Sequence, residues 1–446
     1  MGESEDTLME KAELEEKAYN WKKAAELYEK AAKLLIEKKK LEQLTDVYFK
    51  IAFDYFKATD TVETSEEFKK LLNNVIKALK EIPTLCKKTG NKTKELEAEG
   101  IVLGCESMIQ NSVHEAKRLI KKSSEFFIEA SKLYSKKNDK ENYHKTLAWI
   151  LKNLNFLLFI SPEPKEIEEI TDTIAELSFE AWNLSKEIKN VEYLAEILHF
   201  EGQSLFFSYY FKDFRNDYHE KEKIKKFVLK CEESLKVIEE CNDFYVLGLV
   251  YMATGSSYWH FGFHFVEDEL EQKRYIDKGI AYLEKSLEFF RKIKIKCHII
   301  MILNHLTWVA YSAGRIDYLQ KRIISDLNES IELGEIYKNT CLPWNFWAKY
   351  LSAFYYSNIA QWKLFTTTQR KSYAEKGIIY AHESLKKLAF GPIFSLPYLS
   401  LTMSHSVLAL LTADKEEKNK HIKKMLQYAS KACENGEKYN GGYSRS

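Results

Sequence analysis

Nine small residues, Ala31, Ala78, Ala130, Ala181, Ser234, Ser286, Ser330, Ser384 and Ala432, recur at separations of 47, 52, 51, 53, 52, 44, 54 and 48 residues. Each lies within an amphipathic helical run. One structural unit of about fifty residues therefore repeats from end to end, the signature of stacked helix pairs that bury themselves on their neighbours. Only 16 glycines and 6 prolines punctuate the 446 residues, too few for an all-β chain full of tight turns. An extended stack also escapes the size limit that would otherwise split a chain of this length into several domains.

Within each unit the pattern reads as a first helix, a short turn and a second helix. In the segment NWKKAAELYEKAAKLL, the residues Trp21, Ala24, Ala25, Tyr28, Ala31 and Ala32 return at three- and four-residue steps, opposite a face of Lys and Glu. This stripe resembles the tetratricopeptide family. Ala24, Tyr28 and Ala31 match that family's small–aromatic–small signature, and Trp21 matches the bulky residue before it. The next unit has Leu71, Val75 and Ala78 at the same offsets, with Pro83 where the family ends its helix. Later units hold the pattern more loosely. The resemblance implies an all-α, right-handed solenoid of about eight to nine antiparallel helix pairs, with residues 1–439 forming one solenoid and 440–446 a disordered tail.

The unit is longer than the family's standard repeat of about 34 residues. An excess of about sixteen residues equals roughly four helical turns, or two more per helix. First helices are accordingly expected over 42–58, 93–114, 140–160, 191–212, 244–266, 295–313, 344–365 and 393–412. Breaks are expected at Thr89-Gly90-Asn91, Lys137-Asn138-Asp139, Ser161–Pro164, Lys189-Asn190, Asn242-Asp243 and Gly391-Pro392. Phe211–Lys226 reads as a polar insertion, and Lys415–Lys438 as the helix that closes the stack. Longer hairpins also occur in SNAP-type vesicle-fusion adaptors, which the stretch from Trp21 to Tyr55 faintly resembles.

Lys and Arg total 67 against 66 Asp and Glu, and only eight of the bases are arginine. Neither the balance nor the shortage of bidentate phosphate ligands suits a nucleic-acid partner. Seven widely separated cysteines without a CxxC read as reduced thiols. The charged opening and the absence of a long apolar run predict a cytoplasmic protein with no membrane span.

A second column lies twenty-six residues before the small residues: Ala52, Gly104, Asn155, Ser208, His260, Asn304, Asn358 and Ser406. It marks either a close helix–helix approach or, because first helices line the concave face in tetratricopeptide solenoids, a polar ladder facing a partner. The candidate partner-binding residues are Asn155, Ser208, Tyr209, His260, His264, Asn304 and Asn358. Aromatic clusters at 206–210, 258–264 and 350–356 read as core or as a Tyr/Trp-lined groove. His260 and His264 stand four apart, but Phe-Gly-Phe separates them where a zinc hydrolase would place a general base. No metal, cofactor or catalytic constellation is expected. The chain reads as a non-enzymatic scaffold or adaptor for a protein or extended peptide. A ligand-binding regulatory sensor and a SNAP-like adaptor are the alternatives, with a repeat-built enzyme last.

Overall fold

The computed structural model describes residues 3–161, 163–209, 218–238, 240–340, 342–386 and 395–439; the side chains at 164, 206–209, 218–220, 316, 317, 320 and 436–439 lie outside that description. Nine helix hairpins follow one another among the described residues. They pair α1 (Glu5–Lys17) with α2 (Trp21–Glu37), and α3 (Leu41–Ala58) with α4 (Ser65–Lys80), which α5 (Ile82–Thr89) continues. Next come α6 (Lys92–Met108) with α7 (Val113–Lys136), α8 (Lys140–Ile160) with α9 (Pro164–Ile188), and α10 (Val191–Tyr209) with α11 (Tyr218–Val237). The last four are α12 (Phe244–Phe265) with α13 (Glu269–Ile293), α14 (Lys296–Ser312) with α15 (Ile316–Gly334), α16 (Trp344–Ile359) with α17 (Thr367–Leu385), and α18 (Ser395–Leu411) with α19 (Lys415–Tyr439). Each hairpin packs on the next, so the expected stack of helix pairs is present.

Local chemistry explains the boundaries. Thr64, Ser112, Asp139, Asp243, Asp268 and Thr366 cap helix N-termini by accepting hydrogen bonds from backbone N–H groups two or three residues on. Where a second helix hands over to the next first helix, a left-handed residue turns the chain: Lys39, Gly90, Asn138, Lys189 and Lys294 have φ between 55° and 72°. The expected first helices match closely, with two shortened at their C-termini. The helix expected to reach 114 stops at Met108, because Ser112 caps its successor. The one expected to reach 365 stops at Ile359, ahead of the capping box formed by Thr366 and Gln369. Pro83 breaks its helix as expected but also opens α5, in whose first turn its missing N–H costs nothing. The breaks at Pro162 and Gly391-Pro392, most of the 211–226 insertion and the 440–446 tail fall outside the described residues.

The column of small residues packs between helices. Eight of its nine members are buried, and only Ala432, on the last helix with no hairpin beyond it, is partly exposed. Closest approach occurs between α12 and α13. There a Cβ on Gly255 would lie 2.8 Å from the Gly279 carbonyl oxygen, and a Cβ on Gly279 would lie 2.9 Å from that of Gly255. Gly104 shows no such tightness; its nearest neighbour would be the Ser123 Oγ at 3.6 Å. A single hydrophobic core runs from Ala12 to Ile359, and two small clusters tie α16, α17 and α18 together.

The stack curls until its first hairpins meet its sixth and seventh. Tyr19 donates its hydroxyl proton to Asp243 (3.0 Å), accepts the Phe244 N–H (2.7 Å), and stacks on the Phe244 ring. Lys57 of α3 pairs with Glu192 of α10 at 2.8 Å. The deepest of these contacts is made by Lys296, only 5% exposed. Its N–H donates to the Asp60 carbonyl (2.9 Å), and its ammonium donates to the Val62 carbonyl (2.7 Å) and pairs with Glu63 (2.5 Å). Phe68 of α4 then meets Tyr337 edge to face, with ring centroids 5.4 Å apart. One turn of the coil thus spans about five hairpins, and the inner face is enclosed where an open arc would leave a groove. Lys296→Ala strips the Val62 carbonyl of its partner, so stability should fall by about 1–3 kcal/mol. Small-angle scattering should also show a larger radius of gyration; an unchanged radius with unchanged stability would refute the closure.

Candidate functional site

The coil encloses two joined chambers. The outer, about 410 Å³, lies between α1, α3, α8, α10 and the start of α12, with Phe53, Phe56, Trp149, Tyr193 and Tyr245 among its walls. The inner, about 140 Å³, is lined by apolar groups such as Met108, Phe156, Phe159, Phe200, Met301 and Trp344. Phe56, Asp60, Lys152, Glu196 and Tyr245 belong to both and so form the neck between them. A further void of about 40 Å³ continues past Phe159, Met301 and Trp344 toward Asn304 and Trp347.

The neck carries three charged side chains that make no ion pair with any described residue. Lys152 lies with its ammonium 3.9 Å from the centre of the Phe56 ring and 4.9 Å from that of Trp149, a cation–π arrangement. Burial lowers its affinity for a proton, against the pull of Glu196 and Asp60. Asp60 accepts a weak S–H hydrogen bond from Cys297 at 3.5 Å, and burial pushes its carboxyl up to about 6 although Lys152 opposes this. Glu196 is raised by burial and by the neighbouring Glu192, and accepts from the Tyr245 hydroxyl at 3.4 Å. Farther out most lysines are matched: Lys57 with Glu192, Lys50 with Glu13 (2.7 Å) and Lys145 with Glu97 (3.5 Å). Asp54 is buried on the wall, and its carboxyl is raised by burial and by Glu16.

The imidazoles around the inner chamber are neutral. Burial lowers His199 well below its ordinary value and brings His298 down to about 3, while their rings lie 5.1 Å apart. Cys297 is held as a thiol by burial and by the Asp60 carboxylate. No group of three His, Cys, Asp or Glu side chains converges as a metal site would require among the described residues. No described helix is long and apolar enough to cross a membrane.

The polar column falls into place differently at each residue. Asn155 lines the inner chamber, but its amide donates to the Phe200 carbonyl at 3.0 Å and so ties α8 to α10. Asn304 lies at the 40 Å³ void and accepts from Ser330 at 3.2 Å. Asn358 accepts from the Tyr311 hydroxyl at 2.6 Å and donates to the Phe354 carbonyl at 2.8 Å. These three amides are engaged within the protein. His260 is buried with its ring 4.2 Å from that of Trp259 and 5.9 Å from that of His264, and burial keeps it neutral. Ser208 and Tyr209 lie on α10, but their side chains are outside the described set. Sequence reasoning missed Asp60, Lys152 and Glu196. The usable signal was Lys152, a single charge in the apolar run LAWILKNLNFLLFI.

An outer groove of about 420 Å³ runs between α9 and α11, over Phe179, Trp182 and Leu229. Most of its charges are matched, by Glu201–Lys230 (2.8 Å), Lys186–Glu233 (2.7 Å) and Lys223–Asp172 (3.7 Å), and the remaining Lys226 is exposed. The interior therefore offers the better ligand site.

No protein-family model matches the chain, and no curated protein matches it. Among solved structures it is similar to a Signal Transduction ATPase with Numerous Domains protein with a tetratricopeptide repeat sensor from Pyrococcus horikoshii. That match has 14% identity and TM-score 0.46, covering 86% of this chain; the chain spans about half (52%) of that protein. It is also similar to a Rap protein complexed with Competence and Sporulation Factor (9%, TM-score 0.47, 97% of this chain and 99% of the other). A third similar structure is the human IFIT1 dimer with m7Gppp-AAAA (12%, TM-score 0.38, 93% and 89%). The fold, among the described residues, is a solenoid of stacked helix hairpins. The similarity ends at that architecture, and the functional reading rests on the chain's own interior.

Two outcomes follow from this geometry. Asn304→Ala combined with Asn358→Ala removes the acceptors of Ser330 and Tyr311, and should cost about 1–3 kcal/mol in chemical denaturation; no loss of stability would place these amides outside the packing. Asp60 titrates higher folded than the ordinary value of about 3.9, so the folded state holds its proton longer and stability declines as pH rises from about 4 through about 6. Asp60→Asn should flatten that decline in thermal melts across the same window, whereas parallel wild-type and variant profiles would contradict the assignment.

Proposed function

We propose that the protein is a non-catalytic binding module that takes a short peptide or peptide-like ligand into the interior of its coil. The observation that carries this reading is the aromatic-walled double chamber with three unmatched charges at its neck. Unmatched charges in a low-dielectric enclosure are costly unless something pairs with them, and a ligand with polar and apolar parts does so. An extended peptide along the asparagine column is the less favoured form of this function, because the three described asparagine amides already have internal partners.

A regulatory role is favoured over a passive scaffold by one feature. The chamber walls come from both sides of the closing contact: α3 and Asp60 on one side, Tyr245, Cys297 and Met301 on the other. A ligand touching both sides binds the closed coil better than an opened one, and so shifts the population toward closure. A partner protein that distinguishes the two shapes would read that shift. To test binding, the protein is incubated with a degenerate library of four- to six-residue peptides, separated by size exclusion and analysed by mass spectrometry. Wild type should enrich a defined subset, and Lys152→Met with Trp149→Ala should abolish the enrichment. No enrichment, or enrichment untouched by the double variant, overturns the interior as a peptide site.

A further inference from the structure

The neck sets one cation and two anions around a single constriction, with the inner chamber and its Phe156, Phe159, Met301 and Trp344 side chains behind it. Lys152 enters from α8, Asp60 from the turn after α3 and Glu196 from α10, and none of the three makes an ion pair with a described residue. Of the other lysines lining the outer chamber, Lys50, Lys57 and Lys145 are each matched to a carboxylate, and Lys17 is exposed at its rim. A ligand carrying only a carboxylate would satisfy Lys152 and leave the acids with no cation of their own, only the hydrogen bonds from Cys297 and Tyr245. One carrying only an ammonium would satisfy the acids and place like charge beside Lys152.

We propose that the neck recognises the zwitterion of a free α-amino acid with an apolar or aromatic side chain. Its carboxylate pairs with Lys152, its ammonium lies between Asp60 and Glu196, and its side chain enters the inner chamber. That chamber, at about 140 Å³, has room for one such side chain, and its walls of Phe156, Phe159, Met301 and Trp344 suit an apolar group. The inference rests on the interior being the ligand site, but assigns to it a single amino acid rather than a peptide.

Isothermal titration calorimetry with L-phenylalanine, L-leucine, 2-phenylethylamine and 3-phenylpropionate tests it. At least one of the two amino acids should bind with one site per chain, and removal of either charged group from the phenylalanine skeleton should weaken binding at least about tenfold. Lys152→Met should weaken L-phenylalanine while leaving 2-phenylethylamine no weaker. Glu196→Gln should do the reverse, weakening L-phenylalanine but not 3-phenylpropionate. Circular dichroism and thermal melting confirm that each variant is folded, and Asp60→Asn supplies a second acid variant should Glu196→Gln fail to fold. No saturable binding of either amino acid, or binding indifferent to the loss of a charged group, overturns the zwitterion site. If the peptide library is nonetheless enriched in a Lys152-dependent way, the interior remains the ligand site and only the amino-acid assignment falls. If the library too shows no enrichment, both fall.

Discussion

The interior of this protein exists because Lys296 is buried against the turn after α3. A buried ammonium is stable only when its hydrogen-bonding capacity is met, and here a backbone carbonyl and a carboxylate meet it while the same residue's N–H takes a second carbonyl. Displacement of the turn would leave the ammonium and two carbonyls unmatched together. The contact therefore selects one relative position of the early and late hairpins. Tyr19 against Asp243 and Phe68 against Tyr337 reinforce that position from either side. Once it is fixed, the inner faces of α3, α8, α10, α12 and α14 confront one another, and what would be a groove becomes a pair of chambers.

The repeat architecture was readable because each hairpin is built from local chemistry. Small residues at Ala31 through Ser384 mark where helices meet, and the caps at Ser112, Asp139 and Asp268 announce helix starts in the sequence itself. Closure was not readable, since nothing near Lys296 or Asp60 in the chain signals that residues 236 positions apart will meet. The same limit hid the site. Asn155, Asn304 and Asn358 stand out in a self-alignment because they share a register, and a shared register serves packing between neighbouring hairpins. Asp60, Lys152 and Glu196 share no register, because they converge across the coil and not along it.

The chemistry of the interior is graded. Toward the outside, Lys50, Lys57 and Lys145 are matched to carboxylates on aromatic walls; at the neck Lys152, Asp60 and Glu196 make no ion pair; beyond it apolar side chains gather and the imidazoles are neutral. Such a gradient holds a molecule by its polar end and tests its apolar end for size. The sequence's near-even charge, 67 basic against 66 acidic residues, conceals this arrangement, because net charge reports nothing about where the unmatched groups sit.

Closure also places the protein apart from an ordinary repeat array in the order of its assembly. Stacks that touch only their neighbours can form progressively as the chain emerges, since every contact is short in sequence. Here Tyr19 must wait for Asp243, 224 residues later, and Asp60 for Lys296. During synthesis the first five hairpins are thus formed but unclosed, with the aromatic inner wall of α3 and α8 open to water until the sixth hairpin's end arrives. The loop that must then be closed is already rigid helix rather than flexible chain, so its entropy has been surrendered in advance. Closing becomes the meeting of two prebuilt surfaces, and the interior is wetted before it is sealed.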